Sequence, residues 1–143
     1  MMGRIIAIDY GRKRCGIAAT DILQLVPGGL CTVPAHQLEA WLTDYFAREE
    51  VECVVIGHPR QTNGEESESM TYIRPFINRF KKRFPQIPIE LYDERFTSSM
   101  AQKTILESGI GKQQRRDNKG LVDEISAVII LQSYMDARDM NRR

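Results

Sequence analysis

The alternation of apolar and polar positions predicts strands first and then helices that alternate with strands. Short apolar runs at residues 4–9 and 15–20 are separated by a polar turn, which is typical of a hairpin. Residues 30–33 predict a third strand after a proline- and glycine-rich turn. From Leu38 onward, apolar residues recur at spacings of three and four, which indicates a helix with one buried face. Residues 53–56 form a continuous apolar run, as in a strand covered on both faces.

The second half of the chain continues the alternation. Ile73, Phe76 and Ile77 predict another helix, which Pro75 should either kink or begin. Residues 87–92 predict a strand, residues 97–108 a helix and residues 121–138 a last helix. The segment 109–120 between these helices is rich in glycine and basic residues and buries little, so we expect a mobile loop.

This order of elements predicts an α/β fold, with a mixed five-stranded sheet and helices on both faces. The length of 143 residues predicts a single domain, residues 1–143. Apolar residues make up 42% and charged residues 27%, as in ordinary soluble proteins, and no run is suited to a membrane helix. The three cysteines predict reduced core residues and a cytoplasmic protein.

Three acids occupy positions that suggest chemistry. Asp9 ends the first predicted strand, Glu94 follows the last one, and Asp123 lies in the first turn of the last helix. Ligand sites in open α/β sheets form at the carboxyl ends of strands, so these side chains can meet there. Three converging carboxylates repel one another unless a divalent cation neutralises them, and oxygen ligands suit Mg²⁺ or Mn²⁺. Such sites hydrolyse phosphodiesters.

Each acid also has a structural interpretation, and the sequence leaves these alternatives open. Asp9 can close a turn by accepting hydrogen bonds from the following amides. Glu94 can form a salt bridge with a neighbouring base. Asp123 can stabilise the start of a helix through the helix dipole, which contributes about 0.3–1 kcal/mol.

Several basic residues are candidates for contact with phosphates, although the net charge is only +1. Lys13 and Arg14 follow Gly11 on the hairpin turn beside Asp9, and Arg95 follows Glu94. A further set of bases in or next to the predicted loop would bind the nucleic-acid backbone: Lys112, Arg115, Arg116 and Lys119. The alternative for this set is an ordinary solvated loop.

Five segments together resemble the YqgF family, also called RuvX, whose members are Holliday-junction-resolvase-like proteins. These are residues 6–18 (IAIDYGRKRCGIA), 55–59 (VIGHP), 93–98 (DERFTS), 119–127 (KGLVDEISA) and 130–134 (ILQSY). They occur in order across nearly the whole chain. Arg12 and His58 depart from the family pattern, and the role of His58 is not predicted.

The resemblance implies a ribonuclease H-like fold and a metal-dependent nuclease, with Asp9, Glu94 and Asp123 as catalytic metal ligands. It also implies a role in 5′-end processing of precursor 16S ribosomal RNA. The alternatives are a resolvase of Holliday junctions or other DNA, and a non-catalytic nucleic-acid-binding factor in transcription or ribosome assembly. An actin-like phosphotransferase would need a second domain. We expect a nucleic-acid partner, no membrane, and a monomer or weak dimer.

Overall fold

A computed structural model describes residues 3–58, 68–93 and 119–141, and these residues form strands and helices in the predicted order. A short 3₁₀ turn, Ala35–Gln37, precedes the first helix. The strands are β1 (Arg4–Tyr10), β2 (Arg14–Thr20), β3 (Pro27–Pro34), β4 (Val51–His58) and β5 (Ile89–Asp93). The helices are α1 (Leu38–Arg48), α2 (Met70–Arg83) and α3 (Lys119–Asn141).

The strands form one five-stranded sheet in the order β3-β2-β1-β4-β5. β1, β2 and β3 pair as successive antiparallel neighbours, whereas β4 lies parallel to both β1 and β5. The sheet is therefore mixed, as the sequence predicted, and it agrees with the ribonuclease H-like fold that the resemblance implies.

Helices cover both faces of the sheet, and alternate residues of β1 divide between them. Ile6 and Ile8 belong to a core with buried residues of α1 and α2. Ile5 and Ala7 belong to a second core with buried residues of α3. The two cores confirm the predicted α/β layers. Among the described helices, none has the combination of length and hydropathy that membrane crossing needs.

Several element boundaries differ from those predicted, and one of the two roles expected for Pro75 is excluded. β3 begins at Pro27, before the predicted residue 30, because Pro27 to Gly29 pair with the end of β2. α2 begins at Met70 and continues through Pro75, so the proline does not start the helix. α3 already includes residues 119 and 120, which were assigned to the loop. The rest of that loop and the helix predicted at 97–108 lie outside the described residues.

Gln24 joins three distant parts of the chain. Its side-chain amide donates to the Gly3 carbonyl at 2.8 Å and to the Glu52 carboxylate at 2.7 Å. Its side-chain oxygen accepts from an Arg138 guanidinium nitrogen at 2.5 Å. Gln24 is buried and has a positive φ of 59°, so its backbone departs from the usual range to aim the amide inward. The beginning of the chain, β4 and the end of α3 are thereby tied together.

We expect Gln24→Ala to lower the free energy of unfolding by about 2–3 kcal/mol, because three hydrogen bonds are lost, one to the buried Gly3 carbonyl and two to charged side chains. Urea unfolding followed by circular dichroism measures the change. Gln37→Ala is the control, since Gln37 is exposed and should change stability by less than about 0.5 kcal/mol. Equal unfolding midpoints for the two variants would contradict a structural role for the Gln24 side chain.

Candidate active site

Asp9 lies near the carboxyl end of β1, on the face that α3 covers. Successive side chains of a strand alternate between faces, and Ile5 and Ala7 contact α3, so Asp9 is the next residue on that face. The residue paired with Asp9 on β2 is Gly16. Asp9 is half-buried, and its carboxylate therefore lies at the edge of the core and not in open solvent.

Gly16 allows the backbone of α3 to lie directly on the sheet. A Cβ added at Gly16 would overlap the carbonyl group of Asp123 and come within 2.8 Å of the Glu124 amide nitrogen. In the neighbouring strand, a Cβ at Gly29 would lie 2.8 Å from Cγ of Glu124. At Gly16 only glycine fits without displacing the helix backbone, so the close approach brings Asp123 beside the strand position of Asp9.

Arg14 neutralises Asp123. The guanidinium Nε of Arg14 donates a hydrogen bond to Oδ2 of Asp123, and the two groups form a salt bridge. The Asp123 side chain is 22% exposed and that of Arg14 is 38% exposed, so solvent reaches the pair from one side. Arg14 was predicted to contact phosphates, but here its partner is a carboxylate of the candidate site.

The electrostatics of Cys15 support the proximity of the two acids. Burial raises the pKa of the Cys15 thiol to about 12, and the negative charges of Asp9 and Asp123 add to this rise. Both carboxylates therefore act on the same sulfur atom. At neutral pH the thiol stays protonated, which excludes Cys15 as a nucleophile under ordinary conditions.

The donor chemistry of this site suits a hard divalent cation. Asp9 and Asp123 supply carboxylate oxygens, which Mg²⁺ and Mn²⁺ prefer. The third predicted acid, Glu94, lies outside the described residues. Within the described ranges, the side chains do not include a cluster of three or more potential metal ligands. The arrangement thus places Asp123 beside the strand position of Asp9, and the three-carboxylate site stays a prediction.

The other predicted phosphate-binding residues are placed only in part. Lys13 is exposed on the hairpin turn, where its carbonyl accepts a hydrogen bond from the Ala35 amide at 2.9 Å. Lys119 is the first residue of α3, so it belongs to a helix and not to the predicted loop. Four predicted residues lie outside the described part of the chain: Arg95, Lys112, Arg115 and Arg116.

The two departures from the family pattern lie at the same end of the sheet as Asp9. Arg12 is exposed, and its guanidinium lies 5.5 Å from the centre of the Tyr72 ring, which indicates a cation–π contact. His58 is buried and ends β4, where it pairs in register with Asp93 of β5. Neither residue occupies the position of a predicted carboxylate.

Sequence reasoning missed two features of the site. These are the close contact of the α3 backbone with Gly16 and the ion pair between Arg14 and Asp123. A signal for the first was present, because the hairpin register sets Gly16 opposite Asp9 and a glycine inside a strand often marks a close backbone approach. The second had no local signal, since Arg14 and Asp123 are 109 residues apart.

Comparison with known proteins gives consistent matches. Residues 3–137 match the family model described as "RuvX: Holliday junction resolvase". A Porphyromonas gingivalis protein named "Putative pre-16S rRNA nuclease" is 66% identical over 138 residues, covering 96% of this chain and 99% of that protein. A Parabacteroides distasonis protein of the same name is 56% identical over 137 residues, covering 96% and 97%.

Among solved structures, Archaeoglobus fulgidus Pelota aligns with a TM-score of 0.47 and 11% identity, covering 99% of this chain and 38% of that one.

We expect Gly16→Ala to displace α3 and to destabilise the protein by about 3 kcal/mol or more. The added Cβ would overlap backbone atoms of α3, which cannot move aside as a flexible side chain can. Gly28→Ala is the matched control in the neighbouring strand, because an added Cβ there meets no described atom within 4 Å. Thermal unfolding of both variants measures the difference. A Gly16→Ala variant as stable as Gly28→Ala would contradict the close approach of the helix.

Proposed function

The chain belongs to the RuvX family, and from this we propose that it is a metal-dependent nuclease that hydrolyses phosphodiester bonds in precursor 16S ribosomal RNA. We assign it one nuclease domain, residues 1–143, and a cytoplasmic location. The observation that supports this function best is the close contact of the α3 backbone with Gly16, which places Asp123 beside the strand position of Asp9. The relatives named for precursor 16S ribosomal RNA favour that substrate.

We propose that Asp9, Glu94 and Asp123 hold Mg²⁺ or Mn²⁺. Two neighbouring carboxylates repel each other, and in this protein only Arg14 is seen to neutralise Asp123 within the described residues. A divalent ion bound there would stabilise the negative charge that develops on the phosphate and lower the pKa of an attacking water. The acids would orient that ion toward the scissile bond, so the chain needs no histidine base.

Two side chains of β5 that contact α3 support the assignment of Glu94 to the proposed metal site. Tyr134 of α3 donates a hydrogen bond to the Glu90 carboxylate at 2.9 Å, and the Tyr92 hydroxyl donates to the Ser133 carbonyl at 3.3 Å. Glu90 and Tyr92 thus point toward α3, two residues apart. Glu94 comes two residues after Tyr92 in the sequence, which is the spacing of successive residues on one face of a strand.

We propose that basic residues around the acids bind the substrate backbone. Lys13 is exposed on the turn beside β1 and is accessible to a phosphate. The remaining members of the proposed set follow from the sequence: Arg95, Lys112, Arg115, Arg116 and Lys119. Each base that pairs with a phosphate releases counterions, so binding should weaken as salt concentration rises.

A second candidate substrate is a four-way DNA junction, which the description of the matching family model favours. The same acids would serve both substrates, because the hydrolysed bond is a phosphodiester in each. Contacts with the 2′-hydroxyl groups separate RNA from DNA. Side-by-side cleavage of precursor 16S ribosomal RNA and a four-way junction by the purified protein therefore decides between them.

We expect Asp9→Asn and Asp123→Asn each to lower cleavage of the precursor RNA at least about 100-fold in Mg²⁺ or Mn²⁺, because each removes a charged ligand of the cation. Both variants should remain folded, since Asp9→Asn relieves repulsion and Asp123→Asn loses only a partly exposed salt bridge. Asp136→Asn is the control, as Asp136 is exposed on the same helix and distant from Asp123. Full activity of a folded Asp9→Asn variant would refute the metal role of Asp9.

We expect Arg14→Met to tighten Mn²⁺ binding about fivefold, because the acids lose a competing positive charge. Without metal, the same change should lower the melting temperature by about 2–4 °C, since Asp123 loses its counterion. Arg12→Met removes an equal charge from the same turn and serves as the control, because Arg12 lies over Tyr72. Calorimetric titration with Mn²⁺ measures the affinity. Unchanged or weaker binding of Mn²⁺ by Arg14→Met would contradict competition between Arg14 and the cation for Asp123.

A further inference from the structure

The helix α2 carries a concentrated positive charge. Its 14 residues include five lysines and arginines, whereas aspartate and glutamate are absent from it. The other two described α-helices, α1 and α3, contain residues of both signs. Because the net charge of the whole chain is only +1, this excess of bases is local to α2. A local excess of this kind attracts an anionic partner.

Part of this charge is arranged in a row. Tyr72, Arg79 and Arg83 are separated by seven and four residues, a spacing that places them along one side of an α-helix. Arg12, from the hairpin turn between β1 and β2, continues the row, because its guanidinium lies 5.5 Å from the centre of the Tyr72 ring. We call Arg12, Tyr72, Arg79 and Arg83 the basic stripe. From Tyr72 to Arg83 the helix rises about 16 Å.

Aromatic rings support the two arginines of α2. The guanidinium of Arg79 lies 6.0 Å from the centre of the Phe76 ring, and that of Arg83 lies 5.8 Å from the centre of the Phe84 ring. Both rings are buried, so the core fixes their positions. A guanidinium held over a ring is partly ordered in advance, and it therefore loses less conformational entropy when it binds a phosphate through two N–H groups.

A single carboxylate serves both of these arginines. Oε1 of Glu39, in α1, accepts a hydrogen bond from Nε of Arg79 at 2.7 Å, and its Oε2 lies 3.5 Å from Nη1 of Arg83. One negative charge thus balances two positive charges. The arginine side chains remain 54% and 48% exposed. Exposed ion pairs of this kind are weak, so a phosphate can replace Glu39 as the partner of either arginine.

The basic stripe begins next to the candidate active site. Tyr10 follows Asp9 on β1 and points to the opposite face of the sheet, where its ring packs with Phe76 and lies 5.9 Å from the Tyr72 ring. Arg12 comes two residues after Tyr10, in the turn itself. An RNA strand held at Asp9 would therefore cross the hairpin turn and continue over α2.

We propose that the basic stripe binds the phosphate backbone of the substrate RNA beyond the scissile bond. This role rests on the nuclease function proposed above and adds a binding surface on the other face of the sheet. Charge complementarity identifies the occupant. A phosphate backbone repeats its negative charge along a line, and a row of arginines about 16 Å long can face several consecutive phosphates of one strand.

Fluorescence anisotropy measures binding of an RNA fragment that spans the 5′ end of 16S ribosomal RNA in its precursor, with EDTA present to prevent cleavage. The double substitution Arg79→Gln with Arg83→Gln should raise the dissociation constant at least about tenfold. It should also lower the slope of log affinity against log salt concentration by about 1.4, which corresponds to two phosphate contacts on a single strand. Glu39→Gln should tighten binding about threefold, because it removes the carboxylate that competes with the phosphates.

Arg48→Gln is the matched control. Arg48 is also an exposed arginine beside an aromatic ring, since its guanidinium lies 5.8 Å from the centre of the Tyr45 ring. It ends α1 next to Glu49, which pairs with Arg4 at the start of β1, so it lies at the other end of the sheet from the hairpin turn. This variant should change the affinity for RNA less than about twofold.

Three results would overturn the proposal: parental affinity of the double variant, an equal loss in Arg48→Gln, or no binding of RNA by the parent chain. Melting temperatures are measured for every variant. If the double variant does not fold, Glu39→Gln decides, and unchanged or weaker binding overturns the proposal. Cleavage is assayed separately with Mg²⁺ or Mn²⁺. A chain that binds RNA through the basic stripe without cleaving it would refute only the nuclease function, whereas cleavage with parental affinity of the double variant would refute only the basic stripe.

Discussion

The close contact between the α3 backbone and Gly16 is the constraint on which the rest of the structure depends. The strand residues under α3 are small along this line: Ala7 pairs with Ala18, and Asp9 pairs with Gly16. On the opposite face of the same strands, Ile6, Ile8 and Ile17 are large and fill the core with α1 and α2. The face of the sheet under α3 therefore carries smaller side chains along this line than the opposite face. The small residues on this face let the helix approach so closely that Asp123 lies beside the strand pair of Asp9 and Gly16, and a larger residue at Gly16 would remove this proximity.

In the metal site that we propose, the acids and Arg14 illustrate a conflict between stability and function. Like charges held together destabilise a folded protein, and catalytic sites accept this cost because the reaction requires them. In this chain the cost at Asp123 is offset by a salt bridge with a residue of the adjoining strand. The salt bridge is partly open to solvent, so it is weak enough for a cation to replace Arg14 as the partner of Asp123. A more deeply buried arginine would hold Asp123 too firmly for a cation to compete.

Much of this architecture could be predicted from the sequence, because periodicity reports which faces are buried. Across the described ranges, the order of the strands and helices and the residue at which α1 begins are confirmed. β3 was harder, since Pro27 to Gly29 have the local composition of a turn, and only pairing with β2 makes them a strand. Gly120 likewise lies inside a helix although glycine disfavours one. For the site, Asp9 and Asp123 were predicted to meet, but the ion pair of Arg14 depends on tertiary distance, which no local pattern carries.

The position of α3 at the end of the described chain has a consequence for protein synthesis. A growing polypeptide emerges from the ribosome with its amino terminus first. β1 to β5 are all made before α3, and α3 supplies the helical part of the core on its face of the sheet together with Asp123. The nascent chain therefore carries Asp9 and Arg14 without the acid that faces them. A nuclease built in this order lacks the paired acids until α3 has been synthesised.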